Sequence, residues 1–262
     1  GRTSLPPVTT RSNPEAQPER LSRPARVAEE IKSWVVAENM RPGDRLPNEQ
    51  EMIERFGMAK GTIREAMRIL EAQGLVKTRT GPGGGSFVHE VSETRARALL
   101  GNYFYFKNLT IADIYQVRLA LEPEVAASLA GALSEEQIAQ LDDNIASYAE
   151  PPSDAEEERA QHVASLRFHQ LLAAFSGNPL LGFLIGFMAS MLADLTVYRR
   201  LYEPRNYDLW RKGRDYQSRL VQALRTGDSD AARRIMTQHM HTARDLMKAQ
   251  EAQMEKRFLD SR

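Results

Sequence analysis

Four polar side chains lie on otherwise apolar helical faces in the second half of the chain. They are Arg118, His169, Gln217 and His239, each flanked by apolar residues at helical spacings. One such residue alone is usually a core residue whose hydrogen bonds are satisfied within the protein. Four on different helices favour a polar-lined cavity, because unpaired buried polar groups are costly unless a ligand or water satisfies them. The sequence therefore predicts a polar-lined interior cavity in this half, occupied by a ligand or by water.

A row of basic residues forms a second candidate site, in the first third of the chain. Lys60, Arg64 and Arg68 are four residues apart, so they form one stripe along a short helix. The apolar residues of the same segment fall on a separate face: Ile63, Ala66, Met67 and Leu70. Most charge runs are solvated faces, so the stripe alone does not indicate a function.

The elements around the stripe indicate a winged helix-turn-helix. We expect a first helix to begin at Ser22 and Pro24, a second to open at Pro47 and close at Gly57, and the basic helix to end at Gly74. The segments "LVKTRT", "GPGGG" and "SFV" predict two strands joined by a glycine-rich tip. A short helix held on one side can place its other side in a DNA major groove, which is roughly 12 Å wide. The order of elements thus favours DNA binding over a solvated face.

The rest of the chain predicts helices only. Apolar residues at three- and four-residue spacings mark helices near 92–105, 110–131, 134–149, 154–176, 178–201, 206–226 and 229–257. We therefore expect a mainly α protein, with a disordered tail at 1–22, a winged helix-turn-helix at 23–90 and an all-α bundle at 91–262. The most apolar stretch, 171–193, is interrupted by "SGNP". Each piece is then shorter than the roughly 20 residues of a bilayer span, so we expect no membrane segment.

Composition narrows the class of protein further. The chain has no cysteine, which excludes disulfides and cysteine sites and fits a reducing cytoplasm. Basic and acidic residues balance at 35 each, so any nucleic-acid surface must be a local patch. An enzyme would need a nucleophile with a positioned base, or an open metal site with a general base, and we find neither pattern. The alternatives left open are a helical metal-dependent enzyme and a helical interaction protein whose basic stripe is incidental.

The segment "RPGDRLPNEQEMIERFGMAKGTIREAMRILEAQGLVKTRTGPGGGSFV" resembles the DNA-binding domain of the GntR-type bacterial transcription regulators. The resemblance implies that the operator is contacted by Gln50, Lys60, Gly61, Thr62, Arg64 and the wing residue Gly81. Two positions depart from the family pattern: Ala59 replaces a serine that could cap the helix, and Lys60 replaces arginine. Alanine cannot cap, and lysine cannot form a bidentate fork.

Three later segments resemble the effector-binding helical domain, called FCD, of the FadR branch of that family. They are "TIADIYQVRLALEPEVAASLA", "RFHQLLAAFSGNPLL" and "LVQALRTGDSDAARRIMTQHM". Members of this branch commonly hold a divalent metal with an aspartate and three histidines. The matching positions here are Ser165, His169, Gln217 and His239. The resemblance therefore implies a metal site in which Ser165 and Gln217 replace the anionic aspartate and one histidine. Zinc or nickel would then rely on His169 and His239.

Two other histidines and one arginine complete this interpretation. His162 and His241 could in principle replace the missing ligands, but we expect both to be exposed. In the branch, an arginine of the first long helix often meets an organic acid, and Arg118 matches it. We therefore expect a cytoplasmic, homodimeric regulator, a repressor by family analogy, that binds an inverted-repeat operator and responds to a small organic acid. A regulator whose pocket depends on metal is the alternative.

Overall fold

A computed structural model describes residues 20–198 and 207–260 of the chain. The chain divides between Ala96 and Arg97 into two compact units. The first contains helices α1 (Arg23–Ala37), α2 (Glu49–Phe56) and α3 (Lys60–Ala72), strands β1 (Val76–Arg79) and β2 (Gly85–Val88), and the start of α4 (Glu93–Tyr105). The second contains α5 (Ile111–Leu129), α6 (Glu135–Ala146), α7 (Ala155–Phe175), α8 (Pro179–Tyr198), α9 (Tyr207–Thr226) and α10 (Ser229–Asp260).

Caps define the helices of the first unit. The Ser22 hydroxyl accepts from the Ala25 amide, as its position predicts. The second helix was wrongly expected to open at Pro47: Asn48 caps it, and its side-chain oxygen accepts from the Glu51 amide at 2.8 Å. Ala59 is the N-cap of α3 and makes no side-chain cap bond. Apolar faces of α1, α2, α3 and β1 form one core, with these buried residues: Val27, Ile31, Met52, Ile63, Leu70 and Val76.

The two strands form the wing. They pair antiparallel, with Val76 opposite Val88 and Arg79 opposite Gly85, and Arg45 adds a bridge to Phe87 on the other edge of β2. The tip requires glycine at position 84, because a Cβ there would lie 2.5 Å from the Arg79 carbonyl oxygen. The hairpin predicted from "GPGGG" is confirmed.

The second unit is a bundle of helices around one core. The central helix α5 begins with a capping box between Thr110 and Asp113 and packs against α8 and α10. Helix α7 packs against α6 and α8, and α9 packs against α6 and α10. No helix in the described part of the chain is long and apolar enough to cross a membrane. The mainly α architecture is confirmed, whereas the exact domain limits at residues 22 and 90 stay predictions.

Candidate functional site

A cavity of about 80 Å³ lies within the helical unit. It is bounded by α5, α7, α9, α10 and the segment before α7. The structure brings all five of the residues expected there to its wall: Arg118, Ser165, His169, Gln217 and His239. The other polar residues of the wall include Tyr115, Tyr148, Gln161, His162, Trp210 and Arg214. The five residues therefore line one cavity, which supports the polar cavity predicted from the sequence.

A buried carboxylate, absent from the sequence analysis, organises this wall. Glu122 Oε2 accepts from Arg118 Nε at 2.5 Å, and Glu122 Oε1 lies 2.7 Å from His169 Nδ1. Arg118, Glu122 and His169 are each only 2% exposed. Burial opposes ionisation of the carboxyl, but the Arg118 guanidinium and then His169 outweigh it and hold the pKa of Glu122 at about 2. The implied metal set still lacks a carboxylate ligand, but the cavity wall is backed by an anion that the sequence analysis did not identify.

The two histidines form a stacked pair. Their Nε2 atoms are 3.2 Å apart, and their rings are nearly parallel, with centroids 5.2 Å apart. Because Glu122 faces Nδ1 of His169, a proton on Nδ1 is favoured and Nε2 is left as an acceptor. Burial, with His169 and Arg118 nearby, lowers the pKa of His239 well below its usual value. Both imidazoles are therefore neutral near pH 7 in the absence of another charge, since burial also lowers the pKa of His169.

The other two positions of the implied metal set are occupied by internal hydrogen bonds. The Ser165 hydroxyl donates to the His162 carbonyl at 2.8 Å, within its own helix. The Gln217 amide oxygen accepts from the Tyr148 hydroxyl, and its nitrogen donates to the Ser165 carbonyl at 3.2 Å. Neither side chain supplies the carboxylate or the imidazole of the implied metal set, and both are engaged in hydrogen bonds within the protein.

The donor set therefore does not fit a resident divalent metal. A 3.2 Å separation suits two nitrogen ligands placed about 2.0–2.1 Å from one ion. Only His169 and His239 provide such ligands, because Glu122 faces the other nitrogen of His169. Among the residues that the structure describes, no group of three histidine or acidic side chains could hold an ion. Two neutral imidazoles are too few ligands for a zinc or nickel site.

Several polar atoms at the cavity have no hydrogen-bond partner among the described residues. They are Arg118 Nη2, His162 Nε2, Gln161 Oε1 and Arg214 Nε, all buried from solvent. His162 was wrongly expected to be exposed; burial, with the Arg118 charge, lowers its pKa to about 4. His241 is exposed, as expected. Orphaned donors and acceptors around one cavity indicate a site for a polar ligand.

The basic stripe lies on the exposed face of α3. Lys60, Arg64 and Arg68 all face solvent beside the exposed Gly61 and the half-buried Thr62. The wing residue Gly81 is exposed, and Gln50 is exposed at the start of α2, where its amide donates to Glu54 at 3.3 Å. The candidate DNA contacts are thus exposed or half-buried residues of α3, of the start of α2 and of the wing tip.

Glu49 is a further residue of this surface that the sequence analysis did not single out. Its carboxylate accepts from Arg64 Nε at 3.0 Å and lies 3.7 Å from Lys60 Nζ. The hydrogen bond from Arg64 lowers the pKa of Glu49, so the carboxylate is ionised near pH 7. Glu49 therefore orients two basic side chains at the start of α3, the end that faces base edges in the recognition helices of helix-turn-helix proteins.

A winged helix-turn-helix unit joined to a helical unit with a ligand cavity defines the class of regulatory DNA-binding proteins. Comparison with known families agrees with the geometry. Residues 24–88 match the model of the bacterial regulatory proteins of the gntR family, and residues 113–242 match the FCD domain. The chain belongs to the GntR family and is a DNA-binding transcriptional regulator with an FCD effector-binding domain.

Named relatives span most of the chain. It is 27% identical over 235 residues to the HTH-type transcriptional repressor NanR of Salmonella newport, covering 82% of each protein. It is 26% identical over 214 residues to the HTH-type transcriptional regulator LutR of Bacillus subtilis, covering 79% of this chain and 93% of LutR. The fold is similar to that of Streptococcus agalactiae GntR, with a TM-score of 0.58 and 20% identity over 85% of this chain and 99% of that one.

These relatives bear on two of the predictions. The resemblance to the GntR family and its FadR branch is confirmed. The family and its named relatives are transcriptional regulators, so the prediction of a protein that is not an enzyme is confirmed as well.

Proposed function

We propose that this chain is a cytoplasmic repressor that binds an inverted-repeat operator as a homodimer and is controlled by a small organic acid in the cavity. The observation that carries the ligand class is the buried Arg118 guanidinium. Its Nε is bonded to Glu122, whereas Nη2 has no partner among the described residues. A carboxylate is the ligand group that best matches the free edge of a guanidinium.

The cavity has room for a small organic ligand. Its volume of about 80 Å³ is several times the roughly 10–15 Å³ that one water molecule needs on the same measure. Beside Arg118, the orphaned Gln161 Oε1 and His162 Nε2 are available to a second polar group. A short acid that carries a hydroxyl or amino group would satisfy more of these atoms than a plain hydrocarbon acid.

Ligand binding and DNA binding would be linked because the acid binds two arrangements of the dimer with different affinities. An acid that binds one arrangement of the dimer more tightly than another shifts the population toward it. Two winged helices dock on an operator only at a suitable half-site spacing, so such a shift changes DNA affinity. The repressor assignment is supported by the name of the NanR relative.

A thermal-shift screen of the full chain against short mono- and dicarboxylic acids tests this proposal. We expect one or more acids to raise the melting temperature of the wild type, and not that of Arg118→Lys. Lysine keeps the positive charge beside Glu122 but lacks the planar fork. The proposal fails if no acid stabilises the protein, or if Arg118→Lys responds as the wild type does.

The homodimer is tested separately by sedimentation of the full chain. Helix α8 is apolar through residues 180–193, with glycines at 182 and 186 that allow close helix approach within the bundle or between subunits. A single dimeric species is expected. A monomer at micromolar concentration would contradict this part of the proposal.

A further inference from the structure

A second arginine lines the cavity of the helical unit. Arg118 of α5 and Arg214 of α9 both belong to its wall. Each has a buried N–H without a partner among the described residues, Arg118 at Nη2 and Arg214 at Nε. A buried donor without a hydrogen bond is costly, so both atoms indicate an acceptor from outside the chain. The acid assigned to Arg118 accounts for only the first of them.

Helical spacing places Arg214 at the cavity. Four residues of α9 at positions i, i+3, i+4 and i+7 line the wall: Trp210, Gly213, Arg214 and Gln217. Trp210 Nε1 donates to the Tyr148 carbonyl at 3.1 Å, and the Gln217 amide nitrogen donates to the Ser165 carbonyl at 3.2 Å. These two bonds fix α9 on either side of Arg214, so its side chain starts from an anchored face.

The two guanidinium groups act on different parts of the wall. Burial, and after it the charge of Arg118, lowers the pKa of His162 on α7 to about 4. Burial raises the pKa of Tyr148, which follows α6, and there the charge of Arg214 opposes the rise. Arg118 therefore faces the histidine side of the cavity, whereas Arg214 faces the tyrosine side.

The charge of Arg214 determines which acceptor suits it. Glu122 pairs with Nε of Arg118 at 2.5 Å, whereas Arg214 forms no ion pair with any residue that the structure describes. Among the described residues that line the cavity, Glu158 is the only acid, beside two arginines. A hydrogen bond from a guanidinium to an anion is roughly twice as strong as one between neutral groups, so Arg214 favours an anionic acceptor.

We propose that the effector is a short dicarboxylate, with one carboxylate bound by Arg118 and the other by Arg214. The inference rests on the proposed function, because it adds a second anionic group to the acid already assigned to Arg118. A monocarboxylate would satisfy Arg118 Nη2 and leave Arg214 Nε without an acceptor. Arg214 is therefore the residue that distinguishes dicarboxylates from monocarboxylates.

Isothermal titration calorimetry of the full chain with short acids tests this inference. The probes are malonate, succinate, glutarate and adipate, each compared with the monocarboxylate of the same carbon number. We expect the best dicarboxylate to bind the wild type roughly 10–150-fold more tightly than its monocarboxylate, the range for one charge-assisted hydrogen bond. In Arg214→Gln this ratio should fall close to one. Arg214→Lys, which keeps the charge, should retain a preference for the dicarboxylate.

Arg211 provides a matched control on the same helix. It is exposed and pairs with Asp208 at 3.4 Å, and it does not line the cavity, so Arg211→Gln should keep the wild-type ratio. The inference is overturned if Arg214→Gln keeps the ratio, or if Arg211→Gln loses it equally. Equal binding of both classes of acid by the wild type, abolished by Arg118→Lys, would overturn this inference and leave the proposed function intact. A wild type that binds neither class would overturn both.

Discussion

Replacing Glu122 with glutamine removes one charge from the buried network at the cavity and changes the shape of the side chain very little. Arg118 and Glu122 are each 2% exposed, and their charged atoms are 2.5 Å apart. Removing one partner of a buried pair leaves the other charge uncompensated and typically costs about 3–5 kcal/mol. Because the glutamine carbonyl can still accept one hydrogen bond, we expect a loss of about 3 kcal/mol in the free energy of unfolding.

The assay must report on the helical unit alone, since two compact units need not unfold together. The chain has two tryptophans, Trp34 and Trp210, and Trp210 lies at the cavity, where Nε1 donates to the Tyr148 carbonyl at 3.1 Å. Urea unfolding followed by fluorescence in a Trp34→Phe background therefore isolates the relevant transition. All variants are compared in that background.

Two further variants make the result specific. Asp142→Asn breaks the pair with Arg225, whose atoms are 2.8 Å apart but whose side chains are both 50% exposed, so we expect a loss of no more than about 1 kcal/mol. Arg118→Met/Glu122→Leu replaces the whole buried pair and should cost less than the two single changes added together. A loss of under about 1 kcal/mol in Glu122→Gln would refute the claim that Arg118 is a buried charge neutralised by Glu122.

Three more predictions follow from the two units. Arg64→Ala should weaken operator binding by about 1–3 kcal/mol in a gel-shift assay if Arg64 reads a base, whereas Lys60→Ala should weaken all sequences equally if Lys60 meets only phosphate; unchanged operator affinity in Arg64→Ala would contradict the assignment. The purified protein should contain substoichiometric zinc or nickel by elemental analysis, and a chelator should not abolish the response to acid; stoichiometric metal that resists chelation would show that the donor set was misjudged. The folded pKa of His162 is about 4, below its usual 6.5, so the unfolded chain binds more protons between these values and stability falls as pH decreases through them. His162 contributes about 2 kcal/mol of that loss by pH 5, and His162→Gln should reduce the fall measured by urea unfolding at pH 7.5 and 5; an equal fall in the variant would exclude His162 as its source.

Local sequence signals predicted most of the fold. Helix limits follow from caps and apolar spacing, and the start expected at Pro47 was wrong because Asn48 is the stronger cap. The residues of the cavity wall could be found because arginine, glutamine and histidine are rarely buried without partners.

Glu122 was missed for a physical reason. A glutamate four residues after an arginine usually indicates a surface ion pair on a helix. Glu122 is instead 2% exposed and contacts His169 of α7, which a local pattern does not encode. The burial of His162 likewise depends on contacts between helices, which no local pattern encodes.

The central claim is that an acid bound in the cavity controls DNA binding. Its most direct test is the affinity of the full chain for the DNA upstream of its own gene, with and without the acid found by thermal shift. Gly213 lines the cavity, and a Cβ there would lie 3.7 Å from His239 Cε1, so Gly213→Leu should fill the site without removing a charge. We predict that the acid changes the affinity of the wild type by roughly 5–150-fold, and that Gly213→Leu binds the same DNA but does not respond. An equal response in Gly213→Leu, or no response to any acid in the wild type, would contradict the claim.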